Sequence, residues 1–153
     1  ELLSGRGLEN IYHFLLRKYK KKELRKSATE IGNSALNDNK IAKEAAKIMF
    51  EILATSIANN ILVNGCQRAA VICGGIANKL KPILLESNFI TAVENKGRYS
   101  EYVGNVPIFL SIDDKNGLKG AAEAFHNTFF QDKKEFIWVD LIKINDPVFN
   151  KVK

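Results

Sequence analysis

Cysteine is scarce in this sequence, whose 153 residues include only Cys66 and Cys73. Two cysteines separated by six residues form neither a disulfide framework nor a zinc pattern, which would need paired Cys-x-x-Cys motifs. The sequence therefore predicts that the protein is located in a reducing compartment, the cytoplasm. With 46% hydrophobic and 26% charged residues, the chain has the composition of one soluble globular domain. A chain of this length can bury a hydrophobic core large enough to fold without disulfide or metal crosslinks.

Long uncharged hydrophobic runs are also missing. The most weakly charged stretch, residues 48–67, contains Glu51 and three asparagines, so it is predicted to be a buried helix rather than a membrane span. The N-terminus shows neither a basic leader nor a small-residue cleavage site. We therefore expect no membrane anchor. Because Glu1 begins as if in the middle of a chain, we also expect a longer parent protein.

Positive charge is concentrated in one decapeptide, residues 17–26. The chain has a net charge of +6, and this run alone holds seven bases and one acid, so the remaining sequence is neutral. Such a run is typical of the solvated end of a helix, where Lys and Arg favour the negative pole of the helix dipole. Tyr19 is its only aromatic residue, which disfavours a stacking groove for single strands, and we predict no nucleic-acid partner.

Apolar spacing and capping residues predict the order of secondary-structure elements. Ser27 and Glu30 have the spacing of a capping box, and Gly65 is a natural helix stop. Alternating helices and short β-prone runs indicate an α/β fold, with helices packed on a small parallel or mixed sheet. The predicted helices cover residues 7–22, 28–36, 40–64, 78–86 and 118–130, and the predicted buried strands cover residues 69–73 and 107–112, with a third strand suggested at 135–142.

The strongest local signal for a ligand is the run from residue 71 to 78, a strand that leads into two glycines and then a helix. Gly74 and Gly75 lack Cβ atoms, so a ligand can approach their backbone, and the N–H groups of the next helix favour phosphate. The same pattern also occurs as a plain tight turn, since neither a phosphate-loop lysine nor Gly-x-Gly-x-x-Gly accompanies it. Cys73 is predicted to be a small buried core residue rather than a nucleophile.

Five separated stretches carry a more specific pattern than the glycine pair alone. They are residues 3–12 (LSGRGLENIY), 73–76 (CGGI), 94–99 (ENKGRY, with Phe89 before it), 106–110 (VPIFL) and 116–122 (NGLKGAA). In order and approximate spacing they resemble the large domain of bacterial glucokinases, ATP-dependent sugar kinases of the actin and hexokinase superfamily. The resemblance covers residues 1–130, and residues 131–153 form an unmatched tail.

The resemblance implies the C-terminal, nucleotide-side domain of such an enzyme, a ribonuclease-H-like half of an actin/hexokinase-type ATPase domain. It implies that Ser4, Gly5, Gly74 and Gly75 contribute to an adenosine pocket, and that residues 117–122 begin a helix connecting the two lobes. The implied parent reaction is transfer of the ATP γ-phosphoryl group to the glucose 6-hydroxyl with Mg²⁺. ATP or ADP would bind this chain, glucose would bind only the intact enzyme, and a homodimer is left open.

Other motifs of the family have no counterpart at the matching positions: the Asp-Gly-Gly-Thr phosphate hairpin, the Asn-Asp pair with the catalytic aspartate, and the Glu-x-x-His pair for glucose. Phosphoryl transfer needs a group that accepts the hydroxyl proton and a cradle for the triphosphate, so the chain alone is expected to be inactive. No catalytic residue is assigned. His13 is predicted to be a half-buried packing residue, and Asp113 with Asp114 to form a turn rather than a magnesium site.

A rival interpretation is a stand-alone, non-catalytic interaction module. It would bind a partner through the basic run 17–26 or through the tail 131–153. Under that interpretation ATP would cause no thermal shift, whereas replacing Lys20, Lys21 and Lys22 by Glu would abolish capture of the partner. Nucleic-acid binding, with its steep salt dependence, ranks last. Whether Arg98 meets a phosphate or a structural carboxylate is left open.

Overall fold

The order of elements follows the predicted α/β pattern. A computed structural model describes residues 2–22, 24–113, 115–126 and 141–145. The helices are α1 Gly5–Lys18, α2 Ala28–Leu36, α3 Lys40–Val63, α4 Gly75–Lys79, α5 Lys81–Glu86, α6 Phe89–Glu94, α7 Ser100–Gly104 and α8 Asn116–His126, with a 3-10 turn at Gly97–Tyr99. The strands are β1 Ala70–Ile72, β2 Ile108–Ser111 and β3 Leu141–Lys143.

The three strands form a mixed sheet in the order β1-β2-β3. Ala70 of β1 lies opposite Ile108 in a parallel pair, and Leu110 of β2 lies opposite Ile142 of β3 in an antiparallel pair. The central strand is fully buried at Ile108 and Leu110. The prediction of a buried strand at residues 69–73 is wrong for most of its length, because β1 is at the sheet edge and Val71 is 49% exposed.

Helix α3 is the centre of the helical layer. The helices α1, α2 and α6 pack against it, and α5 and α7 also contact it. Its buried positions are mostly alanine, which lets neighbouring helices approach closely, and its larger buried side chains are Met49, Phe50 and Ile61. Among the described residues, α3 is the one helix that is long and apolar enough to cross a membrane by length and composition. In this fold it packs as the core helix that the sequence predicts.

The helix ends confirm the local predictions at α2 and α3. Ser27 and Glu30 form the predicted capping box, in which the Ser27 N–H donates to Glu30 Oε2 at 2.7 Å. Gly65 follows the last turn of α3 with φ +58°, and the Cys66 N–H donates to the Ile61 carbonyl at 2.9 Å. This left-handed residue with its 6→1 hydrogen bond is a Schellman motif, which explains why a glycine stops the helix.

Helix α1 ends four residues earlier than predicted. Lys20 takes φ +52°, and the Lys21 N–H donates to the Leu16 carbonyl at 2.9 Å, so the same Schellman motif reverses the chain here. The basic run is therefore not the end of a helix over its whole length. Only its first two residues, Arg17 and Lys18, belong to α1, and its other described residues form a turn and an irregular segment.

We predict that Lys20→Gly stabilises the protein by about 1 kcal/mol, because a left-handed backbone is unfavourable for any residue with a Cβ atom. The matched change is Gly65→Ala, which places a Cβ atom at a left-handed position with nothing within 4 Å of it. It is expected to destabilise the protein by about 1 kcal/mol. Urea unfolding measures both free energies. A loss of stability in Lys20→Gly would contradict the assignment of this motif.

The remaining elements differ from prediction in detail. The helix predicted over 78–86 is two short helices, α4 and α5, with Pro82 in the first turn of α5 as expected. Helix α8 begins at Asn116, two residues before the predicted start, and its small residues Gly120, Ala121 and Ala122 are exposed. Residues 127–130 of the predicted helix lie outside the described residues. Most of the strand predicted at 135–142, and most of the tail 131–153, lies outside the described residues.

Candidate functional site

The two glycines form an open bend between β1 and α4. Gly74 has φ +122° and ψ 152°, a conformation that residues with a Cβ atom rarely adopt, and it is the residue before α4. A Cβ atom placed on Gly74 or Gly75 would meet nothing within 4 Å. In a tight buried turn, glycines are needed because no room exists for a Cβ atom. Here room exists, so close packing does not explain why these positions are glycine. The bend is a backbone surface that a ligand can reach.

One cleft lies between this bend and α3, and we call it the bend cleft. It has a volume of about 260 Å³ and is lined by Leu3, Met49, Phe50, Leu53 and the residues from Ile72 to Ala77. Most of this lining is apolar, which suits the flat face of an aromatic ligand. Its size is slightly below the usual range of about 300–1,000 Å³ for ligand pockets.

A second cleft adjoins it on the other side of the bend, and we call it the α2 cleft. It has a volume of about 250 Å³ and shares Gly75 and Ile76 with the bend cleft. Thr29 and Asn33 of α2 and Lys79 of α4 supply polar groups along its walls. Because Gly75 borders both clefts, a ligand lying across the bend has mainly apolar contacts on both sides, and the α2 cleft adds a few hydrogen-bonding groups.

Ser4 and Gly5 lie beside the clefts, but in the described part of the chain neither is a lining residue. Ser4 caps α1, since its Oγ accepts a hydrogen bond from the Gly7 N–H at 3.1 Å. A Cβ atom on Gly5 would be only 3.3 Å from the Cβ of Ala28, so Gly5 allows α1 to approach α2 closely. Their neighbours Leu3 and Ala28 do line the two clefts. A direct contact from Ser4 or Gly5 to a nucleotide stays a prediction.

Helix α2 is held in place as a cleft wall by polar contacts at its first turn. The Ala28 N–H donates to Glu9 Oε1 at 2.8 Å, which ties α2 to α1. The pKa of Glu30 is lowered from its ordinary 4.5, first by the hydrogen bond from the Ser27 N–H and then by that from the Ser27 hydroxyl. The charged form of this carboxylate thus stabilises the start of the helix that presents Thr29 and Asn33.

We predict that the stability difference between the wild type and Glu30→Ala depends on pH. The folded-state pKa of Glu30 is lowered, so its contribution is fully present above the unfolded pKa of about 4.5 and is lost as pH falls through the folded value. Thermal unfolding at pH 7 and at pH 3 measures the change. Glu30→Gln is the control, because its amide oxygen can keep the capping box without titrating. An equal difference at both pH values would contradict the prediction.

Other predicted residues take mostly structural positions. His13 is half-buried as predicted, and its ring and that of Tyr12 form an edge-to-face pair with a centroid distance of 5.7 Å. Asp113 accepts a hydrogen bond from the Lys115 N–H at 2.8 Å, as expected of a turn residue, and pairs with Lys119. Asp114, predicted to share this turn, lies outside the described residues. The Lys119 hydrogen bond is the main cause of the lowered pKa of Asp113. Arg98 stacks on Tyr99 at 5.1 Å and meets no carboxylate of the described residues.

The prediction for Cys73 is wrong, because this thiol is exposed rather than buried in the core. It lies at the edge strand's end and lines the bend cleft. Sequence reasoning also missed the walls of both clefts. Periodicity indicated that α2 and α3 have apolar faces, but it gave no signal for which positions would border the glycine bend.

Metal-binding side chains are not gathered anywhere in the described residues. No group of three His, Cys, Asp or Glu side chains there could hold an ion. A magnesium site is therefore not assigned to residues of this part of the chain. The clefts at the bend can bind and orient an organic ligand, and their described lining contains only two titratable side chains, Cys73 and Lys79.

Comparisons with known proteins agree on one family. The family model described as Glucokinase matches residues 1–128. The glucokinase of Neisseria gonorrhoeae is 32% identical over 82% of this chain and 38% of its own length. That of Hahella chejuensis is 30% identical over 82% of this chain and 39% of its own. The chain thus spans about two fifths of these relatives.

A solved structure gives the same result for the fold. The crystal structure of glucokinase from an Antarctic psychrotroph superposes with a TM-score of 0.71 at 27% sequence identity. The match covers 82% of this chain and 39% of that one.

Proposed function

This chain belongs to the glucokinase family, and from that premise we propose that it supplies the adenosine-binding side of an ATP-dependent glucokinase. The intact enzyme would transfer the ATP γ-phosphoryl group to the glucose 6-hydroxyl in the cytoplasm. In this proposal Gly74 and Gly75 form the floor beneath the adenosine, and Ser4 and Gly5 lie at its edge. Glucose and the group that accepts its proton would be held by other parts of the enzyme.

The observation that carries the proposal is the open bend at Gly75. Space for a Cβ atom exists there, yet the position is a glycine whose backbone borders both the bend cleft and the α2 cleft. Folding alone does not require a glycine at this position, because its φ is not left-handed and nothing crowds it. A ligand lying against the backbone does require it.

The proposal extends to the organisation of the chain. We propose that residues 1–130 form the nucleotide-side, ribonuclease-H-like half of the ATPase domain, and that residues 131–153 are a separate tail. Helix α8 would connect the two lobes, and its exposed Gly120, Ala121 and Ala122 would be covered in the intact enzyme. Mg²⁺ would be needed for the triphosphate, but the described residues offer no ligand set for it. The chain alone would be inactive.

Calorimetric titration of the chain with ADP and with adenosine tests the proposal. Both should bind weakly, with adenosine retaining most of the affinity because the clefts contact the nucleoside rather than the phosphates. Reading the coding sequence upstream of Glu1 is an independent test, since the proposal expects an Asp-Gly-Gly-Thr hairpin and an Asn-Asp motif there. Absence of both nucleoside binding and these motifs would refute it.

The interaction-module alternative is favoured by one observation. The described residues of the basic run 17–26 are exposed apart from Lys26, which is half-buried. A module that uses this run would capture a partner and lose it when Lys20, Lys21 and Lys22 are replaced by Glu. It would show no thermal shift with ADP.

A further inference from the structure

The turn after α1 borders a third concavity that is open to solvent, which we call the basic cavity. It has a volume of about 730 Å³ and is distinct in its lining from both clefts at the bend. Its charged lining residues are Glu9, Arg17, Lys21, Arg25 and Lys26, and His13 also faces it. The motifs that resemble the glucokinase family include only Glu9 and Asn10 of this lining, since residues 17–26, which supply all four cations, lie outside the five matching stretches.

The walls of the basic cavity are fixed at both ends. Asn10, His13 and Arg17 are three and four residues apart on α1, so they share one face of that helix. The left-handed Lys20 then reverses the chain and brings Lys21 back beside this face. At the far end, the hydrogen bond from the Ala28 N–H to Glu9 holds the returning segment against α1. The cavity is therefore part of the fold between these two contacts.

The charges around the basic cavity are unbalanced. In the described lining of the cavity, four cations accompany one carboxylate, and that carboxylate, on Glu9, already accepts the Ala28 N–H. One of the four, Lys26, also lies over the Tyr12 ring and near Glu30. Within the described residues, Arg17, Lys21 and Arg25 form no ion pair. Like charges around one concavity repel each other, and a ligand with several negative charges would relieve this repulsion. Arginine fits phosphate oxygens through two parallel hydrogen bonds.

We propose that the basic cavity is a binding site for a small soluble anion with two or three linked phosphate groups. Its volume falls in the range of small-molecule sites, about 300–1,000 Å³. A nucleic acid or a membrane would instead require positive charge spread over an extended surface. Outside residues 17–26 the chain has as many acids as bases, so the charge is local and matches a local ligand. The site is independent of the adenosine site at the bend.

Calorimetric titration of the full chain with sodium tripolyphosphate at low salt tests the proposal. The triple variant Arg17→Gln, Lys21→Gln, Arg25→Gln should bind the anion about tenfold more weakly, since it loses three solvent-exposed ionic contacts, each of which is weak. The control is Lys40→Gln, Arg68→Gln, Lys115→Gln, which removes three exposed cations outside the cavity and lowers the net charge equally. It should stay within about twofold of the wild type. Added salt should weaken wild-type binding.

Three results would overturn the proposal, provided that circular dichroism shows folded variants. Equal weakening in both triple variants would mean that net charge, rather than the cavity, attracts the anion. Loss of tripolyphosphate binding in Gly75→Val would place the anion at the bend. Binding of single-stranded RNA or of phosphatidylserine vesicles without binding of tripolyphosphate would assign the basic run to a macromolecular surface. Adenosine binding should be the same in the cavity variant as in the wild type, which separates this test from that of the nucleotide site.

Discussion

Gly75→Val is expected to weaken ADP and adenosine binding strongly while the protein stays folded. The valine side chain would project into open space where the bend cleft and the α2 cleft meet, so it would occupy the position proposed for the nucleoside. Forcing a ligand past added methyl groups costs roughly 1–3 kcal/mol, and the affinity should therefore fall by up to about a hundredfold. Calorimetry measures the binding, and thermal unfolding reports the fold.

Gly117→Val is the matched control for this variant. Gly117 also lies in the first turn of a helix, is exposed, and has nothing within 4 Å of the position that a Cβ atom would take. The two variants therefore carry the same change in helix propensity and side-chain volume. Nucleoside affinity should be unchanged in Gly117→Val. Equal affinity in both variants, or unchanged binding in Gly75→Val, would refute the bend as the nucleoside site.

Gly74 is a less informative position for the same test. Its φ of +122° means that any side chain there would strain the backbone. A loss of binding in a Gly74 variant could therefore come from a distorted bend rather than from an occupied cleft. The contrast between the two glycines separates a conformational requirement at Gly74 from a requirement for space at Gly75.

Local sequence signals predicted those parts of the fold that depend on neighbouring residues. The capping box at Ser27 and Glu30 and the stop at Gly65 need only contacts within one turn, and both are present. The end of α1 was not predicted because Lys20, unlike Gly65, has no marked preference for a left-handed conformation. The exposure of Cys73 was missed because an apolar strand at a sheet edge has the same composition as a buried one.

Sequence reasoning likewise predicted one part of the candidate site and missed another. The glycine bend could be identified from the strand-Gly-Gly-helix pattern, since its residues are contiguous. Its walls could not, because Phe50 of α3 and Thr29 of α2 reach the bend only through the packing of three helices. The basic cavity depends on the reversal at Lys20, so the charge run could be seen in the sequence but its concave shape could not.

Phe50→Ala is expected to cause the largest loss of stability among these variants. Phe50 is fully buried on the central helix α3 and also lines the bend cleft. Truncating a buried phenylalanine to alanine costs about 3–5 kcal/mol, a large part of the roughly 5–15 kcal/mol that keeps a domain folded. Urea unfolding monitored by circular dichroism should show this as a lower midpoint, or as an unfolded protein already in the absence of denaturant.

Phe14→Ala provides the control, because this phenylalanine lies on α1 but is 59% exposed. Its removal should change the free energy of unfolding by no more than about 0.5 kcal/mol. If Phe50→Ala does not fold, Phe50→Leu keeps most of the volume and should lose less than about 1.5 kcal/mol. Similar losses in Phe14→Ala and Phe50→Ala would mean that α3 is not the core helix. The wall of the bend cleft would then lack the rigid support that nucleoside binding requires.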